Sequence, residues 1–124
     1  MKIAVIEDEK PIREGLVHIL NKISPEYQVV GSAENGAEGL ILLEEEMPDL
    51  IMLDIQMPVM DGFESTRRIR ALPQPALSHI PIIAMTADAF DEDRRAAARC
   101  GMNGFVSKPI DMEELTRTLH EIFG

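Results

Sequence analysis

The sequence predicts a doubly wound α/β fold, a five-stranded parallel sheet with helices on both faces, and two observations carry that expectation. Five short apolar runs, at 2–6, 28–33, 50–53, 82–85 and 105–107, alternate with longer segments of helical period, a βα repeat five times over. The runs are also apolar without alternation, most clearly Leu50-Ile51-Met52-Leu53, as expected of strands covered on both sides.

The elements follow in order. In the first helical segment Ile12, Leu16, Ile19, Leu20 and Ile23 recur at three- and four-residue steps, and Pro11 suits a first-turn position. In the second, Ala37, Leu40, Ile41 and Met47 form the expected inner stripe, with Glu44, Glu45 and Glu46 on a solvated face. The last helix places Met112, Leu115, Leu119 and Ile122 on one stripe behind a cap at Asp111. The three prolines between Leu72 and Pro81 mark a loop. No linker or internal repeat divides the chain beyond this alternation, so residues 1–124 are expected to form one domain.

Composition narrows the function. With 22 acidic residues against 12 basic ones the net charge is −10, a field that repels nucleic acid and anionic membrane. The single Cys100 cannot form an internal disulfide and reads as a small apolar residue late in a helix. His18, His79 and His120 show no ligand spacing. No apolar run approaches the roughly 18 residues of a membrane span. The segment 1–8 also lacks the layout of a signal peptide, so a cytoplasmic location is the expectation.

In open parallel sheets ligands bind beyond the carboxyl ends of the strands. Here those ends are polar: Glu7 and Asp8 after the first strand, Asp54 after the third, Thr86 after the fourth and Lys108 after the fifth. Two carboxylates about 4 Å apart repel by about 4 kcal/mol at an effective dielectric of about 20, and a third adds to this. Such a cluster asks for a cation. Oxygen-only ligands favour a hard divalent ion, and a sparse site with room for water and a phosphate oxygen suits magnesium better than calcium. An aspartate beside such an ion can accept a phosphoryl group, provided the converging negative charges are neutralised. Magnesium held by Asp8 and Asp54 and the Lys108 ammonium would do so from two sides, while Thr86 offers a hydroxyl to the transferred group.

The segments Ile6-Glu7-Asp8-Glu9, Leu53-Asp54-Ile55-Gln56-Met57-Pro58-Val59-Met60-Asp61-Gly62, Met85-Thr86-Ala87 and Ser107-Lys108-Pro109 strongly resemble the receiver domains of two-component response regulators. The resemblance spans nearly the whole chain and implies a flavodoxin-like (βα)5 sandwich. It implies Asp54 as phosphoacceptor, with a histidine kinase or histidine phosphotransfer domain as donor. It implies Asp8, Asp54 and the main-chain carbonyl of Gln56 as magnesium ligands, with Glu7 acting mainly through a metal-bound water. Thr86 with Ala87 matches the switch hydroxyl segment, Phe105 the switch aromatic and Lys108 the phosphate-pairing lysine, followed by a Lys108-Pro109 bond that is often cis. Pro58 and Gly62 are expected to shape the loop after the acceptor, the glycine through a backbone angle other residues resist. Gln56 and Asp88 flank the approach of attacking water and tune phosphoryl lifetime. An output domain or downstream protein would read the face made by the helix after the fourth strand, the fifth strand and the last helix. The expected state is a monomer or a weak phosphorylation-dependent dimer, with no activity beyond the domain's own phosphorylation and dephosphorylation.

Two departures stand out. The first acid is Glu7 where aspartate is commoner. The first half, through Arg13-Glu14-Gly15-Leu16 and Asp61-Gly62, resembles receivers fused to DNA-binding outputs, whereas 82–111 reads like receivers of hybrid sensor kinases. Divergence, recombination and engineering each produce such a mixture. Two rival functions fit less well. A haloacid-dehalogenase-like phosphatase needs Asp-x-Asp, and Gln56 stands at the second position. A flavodoxin-like cofactor binder needs a phosphate-cradling loop where this chain has Glu7-Asp8-Glu9-Lys10.

Overall fold

The computed structural model describes residues 1–57, 60–87 and 91–124. Pro58 and Asp88, both expected at the site, lie outside the described residues. Five strands, β1 (Lys2–Ile6), β2 (Gln28–Ala33), β3 (Leu50–Asp54), β4 (Ile82–Thr86) and β5 (Gly104–Ser107), form one parallel sheet in the order β2-β1-β3-β4-β5. The helices are α1 (Lys10–Ile23), α2 (Gly36–Glu46), α3 (Gly62–Arg70), the single turn α4 (Pro75–Ser78), α5 (Asp91–Cys100) and α6 (Met112–Phe123). None of them is long and apolar enough to cross a membrane.

Alternate side chains of each strand face opposite layers. Ala4, Ile6, Ile51, Leu53, Ile82 and Ala84 pack with Leu43, Ile69, Leu77 and Ala97 of α2 to α5. Ile3, Val5, Leu50, Met52, Ile83, Met85 and Val106 pack with Leu16 and Leu20 of α1 and Leu115 and Leu119 of α6. All five residues of β3 are buried, which is why its sequence shows no alternation. At about 25 cal/mol per Å² of apolar surface, these two layers supply most of the driving force for folding. Local signals agree at the helix ends: Pro11 sits in the first turn of α1, and Asn35, Asp61 and Asp111 cap α2, α3 and α6 by accepting from Glu38, Glu64 and Glu113 N–H groups.

The structure corrects several expectations. The buried stripe of α2 is Gly36, Gly39 and Leu43, while Ile41 is 60% exposed. A side chain at Gly39 would run into Ile6, so the helix lies close to the sheet on its glycines and turns Ile41 outward. Met47 falls just past α2, where it adopts a left-handed conformation and is exposed. Met112, expected on the inner stripe of α6, is likewise exposed, at the first residue of that helix. The loop at 72–81 contains α4, which Pro75 starts and whose Leu77 is fully buried.

Gly62 is corrected as well, since its backbone angle is not positive. Glycine is required there for space: a Cβ would lie 2.6 Å from Ile55 Cα and 2.7 Å from Asp54 O. Both neighbours are backbone and cannot rotate away. Gly62→Ala is therefore expected to lower stability by about 1–3 kcal/mol, read as a drop in the urea midpoint; an unchanged midpoint would show that α3 can shift freely from the end of β3.

Candidate functional site

The sheet order reverses direction between β1 and β3, and the carboxyl ends of these two strands meet at that point. Ile6 pairs with Leu53, so Glu7 and Asp54 follow in step. Asp54 is in register with Met85, and Thr86 with Ser107, which sets the Thr86 and Lys108 positions along the same edge. Lys108 N–H donates to Thr86 O at 2.7 Å, fixing the start of the segment after β5.

The centre of the site is a shared cation. Lys108 Nζ lies 2.8 Å from Glu7 Oε2 and 3.2 Å from Asp54 Oδ2, and it donates a 3.0 Å hydrogen bond to Glu7 Oε1. Glu7 is fully buried and Asp54 is 1% exposed. Asp54 Oδ1 accepts from Gln56 N–H at 3.0 Å, and Glu7 Oε1 also accepts from Glu9 N–H at 3.3 Å. The Lys108-Pro109 bond is cis, as expected, and the lysine points inward.

One ammonium does not satisfy three acids. Glu7 Oε2, Asp8 Oδ1 and Asp54 Oδ2 are buried without an aligned hydrogen bond, and the three residues each offer an oxygen within 4.8 Å of the others. Two of these oxygens, those of Glu7 and Asp54, share the one Lys108 ammonium, so the three acids carry more negative charge than it offsets, and a hard cation held by their oxygens would balance the remainder. The donor set fits a divalent ion of the magnesium kind: oxygen only, few in number, and open on the Asp8 side, where the residue is half-buried.

The remaining expected residues fall around this centre with different degrees of enclosure. Thr86 is fully buried at the end of β4, and Ala87 beside it is exposed. Gln56 is exposed and reaches the site through its backbone. Phe105 lies on β5, half-buried against the layer that includes α5, with the Arg94 guanidinium 4.6 Å above its ring. Pro109 is exposed, and Gly62 lies close against the backbone of Asp54 and Ile55. Arg13 is not among the site residues the sequence points to, yet its guanidinium donates to Glu7 O at 2.8 Å and ties α1 to the acidic turn. Its signal is positional only: a cation six residues after Glu7, at the start of a helix that returns over the strand end.

Electrostatics explain why this edge is poised. Burial pushes the Asp54 carboxyl up, the Gln56 N–H pulls it down, Glu7 raises it and Lys108 lowers it, leaving it at about 7. Burial alone would lower Lys108, but its hydrogen bond to Glu7 and the charges of Asp54 and Glu7 outweigh that and hold it protonated. Asp54 thus binds its proton more tightly folded than unfolded, where its value is 3.8. By linkage its stabilising contribution is complete below about 4 and is lost as pH rises through about 7. In EDTA at pH 8, Asp54→Asn is therefore expected to stabilise the domain by about 1–3 kcal/mol in urea, with the gain shrinking toward pH 5. A variant less stable than wild type at pH 8 would contradict this balance of charges.

Comparison with known proteins agrees with this geometry. The family model of the response regulator receiver domain matches residues 3–120. An uncharacterized 14.6 kDa protein of Leptolyngbya boryana is 42% identical over 98% of this chain and 88% of its own length. The nitrate/nitrite response regulator protein NarL of Escherichia coli K12 is 34% identical over 96% of this chain and 53% of its length. Probable histidine kinase 4 of Oryza sativa subsp. japonica is 34% identical over 98% of this chain but 14% of its length. Both kinds of relative therefore match along nearly the whole chain. Among solved structures, the Vibrio cholerae chemotaxis protein CheY4 superposes with a TM-score of 0.86 at 30% identity, covering 98% of each chain. The receiver domain of sensor histidine kinase PA1611 of Pseudomonas aeruginosa, solved with a magnesium ion in its active site cleft, gives 0.82 at 32% identity over 97% of this chain and 94% of that one. The phosphatase and cofactor-binder alternatives gain no support from these relatives. From its sheet, its strand-end site and these matches, the chain belongs to the response regulator receiver domain family of two-component signalling.

Proposed function

We propose that residues 1–124 act as a single receiver domain that takes a phosphoryl group from a phosphohistidine onto Asp54. The observation that carries this is the buried carboxylate of Asp54 beside the Lys108 ammonium, in a cluster where Glu7, Asp8 and Asp54 each offer an oxygen within 4.8 Å of the others. An Asp54 oxygen attacks phosphorus, the P–N bond breaks, and its electron pair leaves with the donor imidazole. Lys108 is already charged and within 3.2 Å of Asp54, so it neutralises the incoming phosphoryl oxygens without moving far. Asp8, Asp54 and the Gln56 carbonyl would hold magnesium, with Glu7 reaching it through water; the ion supplies charge neutralisation at the phosphoryl oxygens. Thr86 and Ala87 receive the transferred group, and Gln56 and Asp88 set how soon water removes it.

Readout follows from a change of local charge acting on a two-state element. Thr86 drawn toward the phosphoryl group leaves space that Phe105 fills, altering the face of α5, β5 and α6 that an output domain or downstream protein contacts. The donor would dock at a second place. A groove of about 520 Å³ runs between Ile12, Gly15, Leu16 and Ile19 of α1 and Pro109-Ile110, with Lys108 at its inner end. Its apolar walls and its opening at the lysine suit a helix presenting a phosphohistidine. Gly15 is its low point, with nothing within 4 Å of where a Cβ would stand.

With acetyl phosphate and magnesium the chain is expected to gain one phosphoryl unit in intact mass, and Asp54→Asn to gain none. Gly15→Lys keeps that labelling but slows transfer from any phosphorylated histidine kinase that labels wild type by about tenfold or more. Label surviving Asp54→Asn would overturn the acceptor assignment; unchanged transfer to Gly15→Lys would overturn the docking groove.

A further inference from the structure

The side of the sheet carrying α2, α3 and α5 presents two features that the phosphorylation site does not use. The first is an apolar knob. Ile41 is 60% exposed on α2, and Glu38, Glu44 and Glu45, one turn away on either side, surround it with negative charge. The second is a hole with the opposite rim. A groove of about 530 Å³ between α3 and α5 is lined by Phe63, Ala96 and Cys100 and edged by Arg67, Arg70 and Arg99 against the single carboxylate of Asp61.

These arginines retain unspent charge. All five Arg70 donors go to neutral groups, the carbonyls of Ser78, Ile80 and Gly101 and the amide of Asn103, so its positive charge meets no carboxylate. Arg99 makes no ion pair among the described residues. Among the described residues Arg67 ion-pairs only with Glu64 at the surface, 3.1 Å away, a contact that exchanges at little cost. A positive groove on a chain of net charge −10 is a local exception to its field, and it matches in sign and polarity the acid-ringed isoleucine of the same chain.

We propose that this face pairs with a second copy of itself, Ile41 of each copy entering the α3–α5 groove of the other and Glu44 and Glu45 meeting Arg99 and Arg67. α3 touches both α2 and α5 and forms the wall of the hole nearer the knob. A two-fold axis over α3 makes both contacts at once, the self-complementary arrangement of a closed dimer. Glu64 and Arg68, exposed on α3 and 3.1 Å apart, sit near that axis and can exchange partners across it. Apolar contact inside a charged rim is the usual anatomy of a specific interface. The occupant is a second copy because the knob's residues and the groove's residues complement each other in both charge and polarity.

The test is sedimentation of unphosphorylated full chain in EDTA at about physiological salt, where the Debye length is about 8 Å and long-range repulsion between acidic chains is screened. Wild type is expected to self-associate within the 10 µM to 1 mM range. Arg67→Glu/Arg99→Glu and Glu44→Arg/Glu45→Arg should each weaken association by about tenfold or more. An equimolar mixture of the two variants should associate again, since each knob then faces a hole of opposite sign. A general charge effect predicts otherwise, favouring self-association of the less acidic Glu44→Arg/Glu45→Arg chain. Wild type that stays monomeric at 1 mM, association that survives either variant, or a mixture that does not associate would overturn the proposal. Circular dichroism of each variant confirms that these exposed substitutions leave the fold in place.

Discussion

The site depends on one ammonium group held between two buried carboxylates. Lys108 is 10% exposed in its side chain, Glu7 and Asp54 almost not at all, so each charge has given up most of its water. Such a group of charges is stable only when each is paired, because removing one partner strands the others in a poorly polarisable surround. The residue count leaves the charge unbalanced: three acids face one lysine, each with an oxygen within 4.8 Å of the other two. That excess of negative charge fits the site for a divalent cation, and it is what the proposed phosphoryl transfer to Asp54 rests on.

The fold serves this arrangement by placing charges from distant parts of the chain on one edge. Glu7 and Lys108 are 101 residues apart and meet because β1, β3, β4 and β5 are parallel and end in step. Two apolar layers fix that register, since a slip of one residue would turn every inward side chain to the other layer. Arg13 and Gly62 complete the support from either side. The first hydrogen-bonds the Glu7 carbonyl, and the second lets α3 start against the Asp54 carbonyl.

The central strands β1, β3 and β4 and the acidic edge are legible in the sequence because burial on both faces leaves an apolar run, whereas the edge strands β2 and β5 are only partly buried and are marked by their βα spacing. Each run falls within a residue of its observed limits, with Asp54, Thr86 and Gly104 joining the strands they border. What is illegible depends on distances between elements. Periodicity assigns Ile41 to the core, but the glycines of α2 bring a different face to the sheet. The need for a glycine at Gly62 is visible in the sequence and its reason is not, since φ and close approach leave the same letter. The Arg70 contacts to Ser78, Ile80, Gly101 and Asn103 join segments up to 33 residues apart, and nothing local announces them.

The two sides of the sheet carry different surfaces, to which the proposed docking, readout and self-association are assigned. The α1 groove is lined by Lys108, the α5–β5–α6 face carries Phe105, and the α2–α3–α5 side carries a knob and a hole that shares α5 with the Phe105 face. The carboxylate cluster itself is held by Lys108, which pairs with both Glu7 and Asp54. The measurement that bears on this most directly is urea unfolding of Lys108→Met at pH 8 with EDTA and with magnesium. The charge balance predicts a loss of about 3 kcal/mol or more in EDTA, and a stabilisation by magnesium larger than that of wild type. An EDTA midpoint equal to that of wild type would contradict the central place of Lys108.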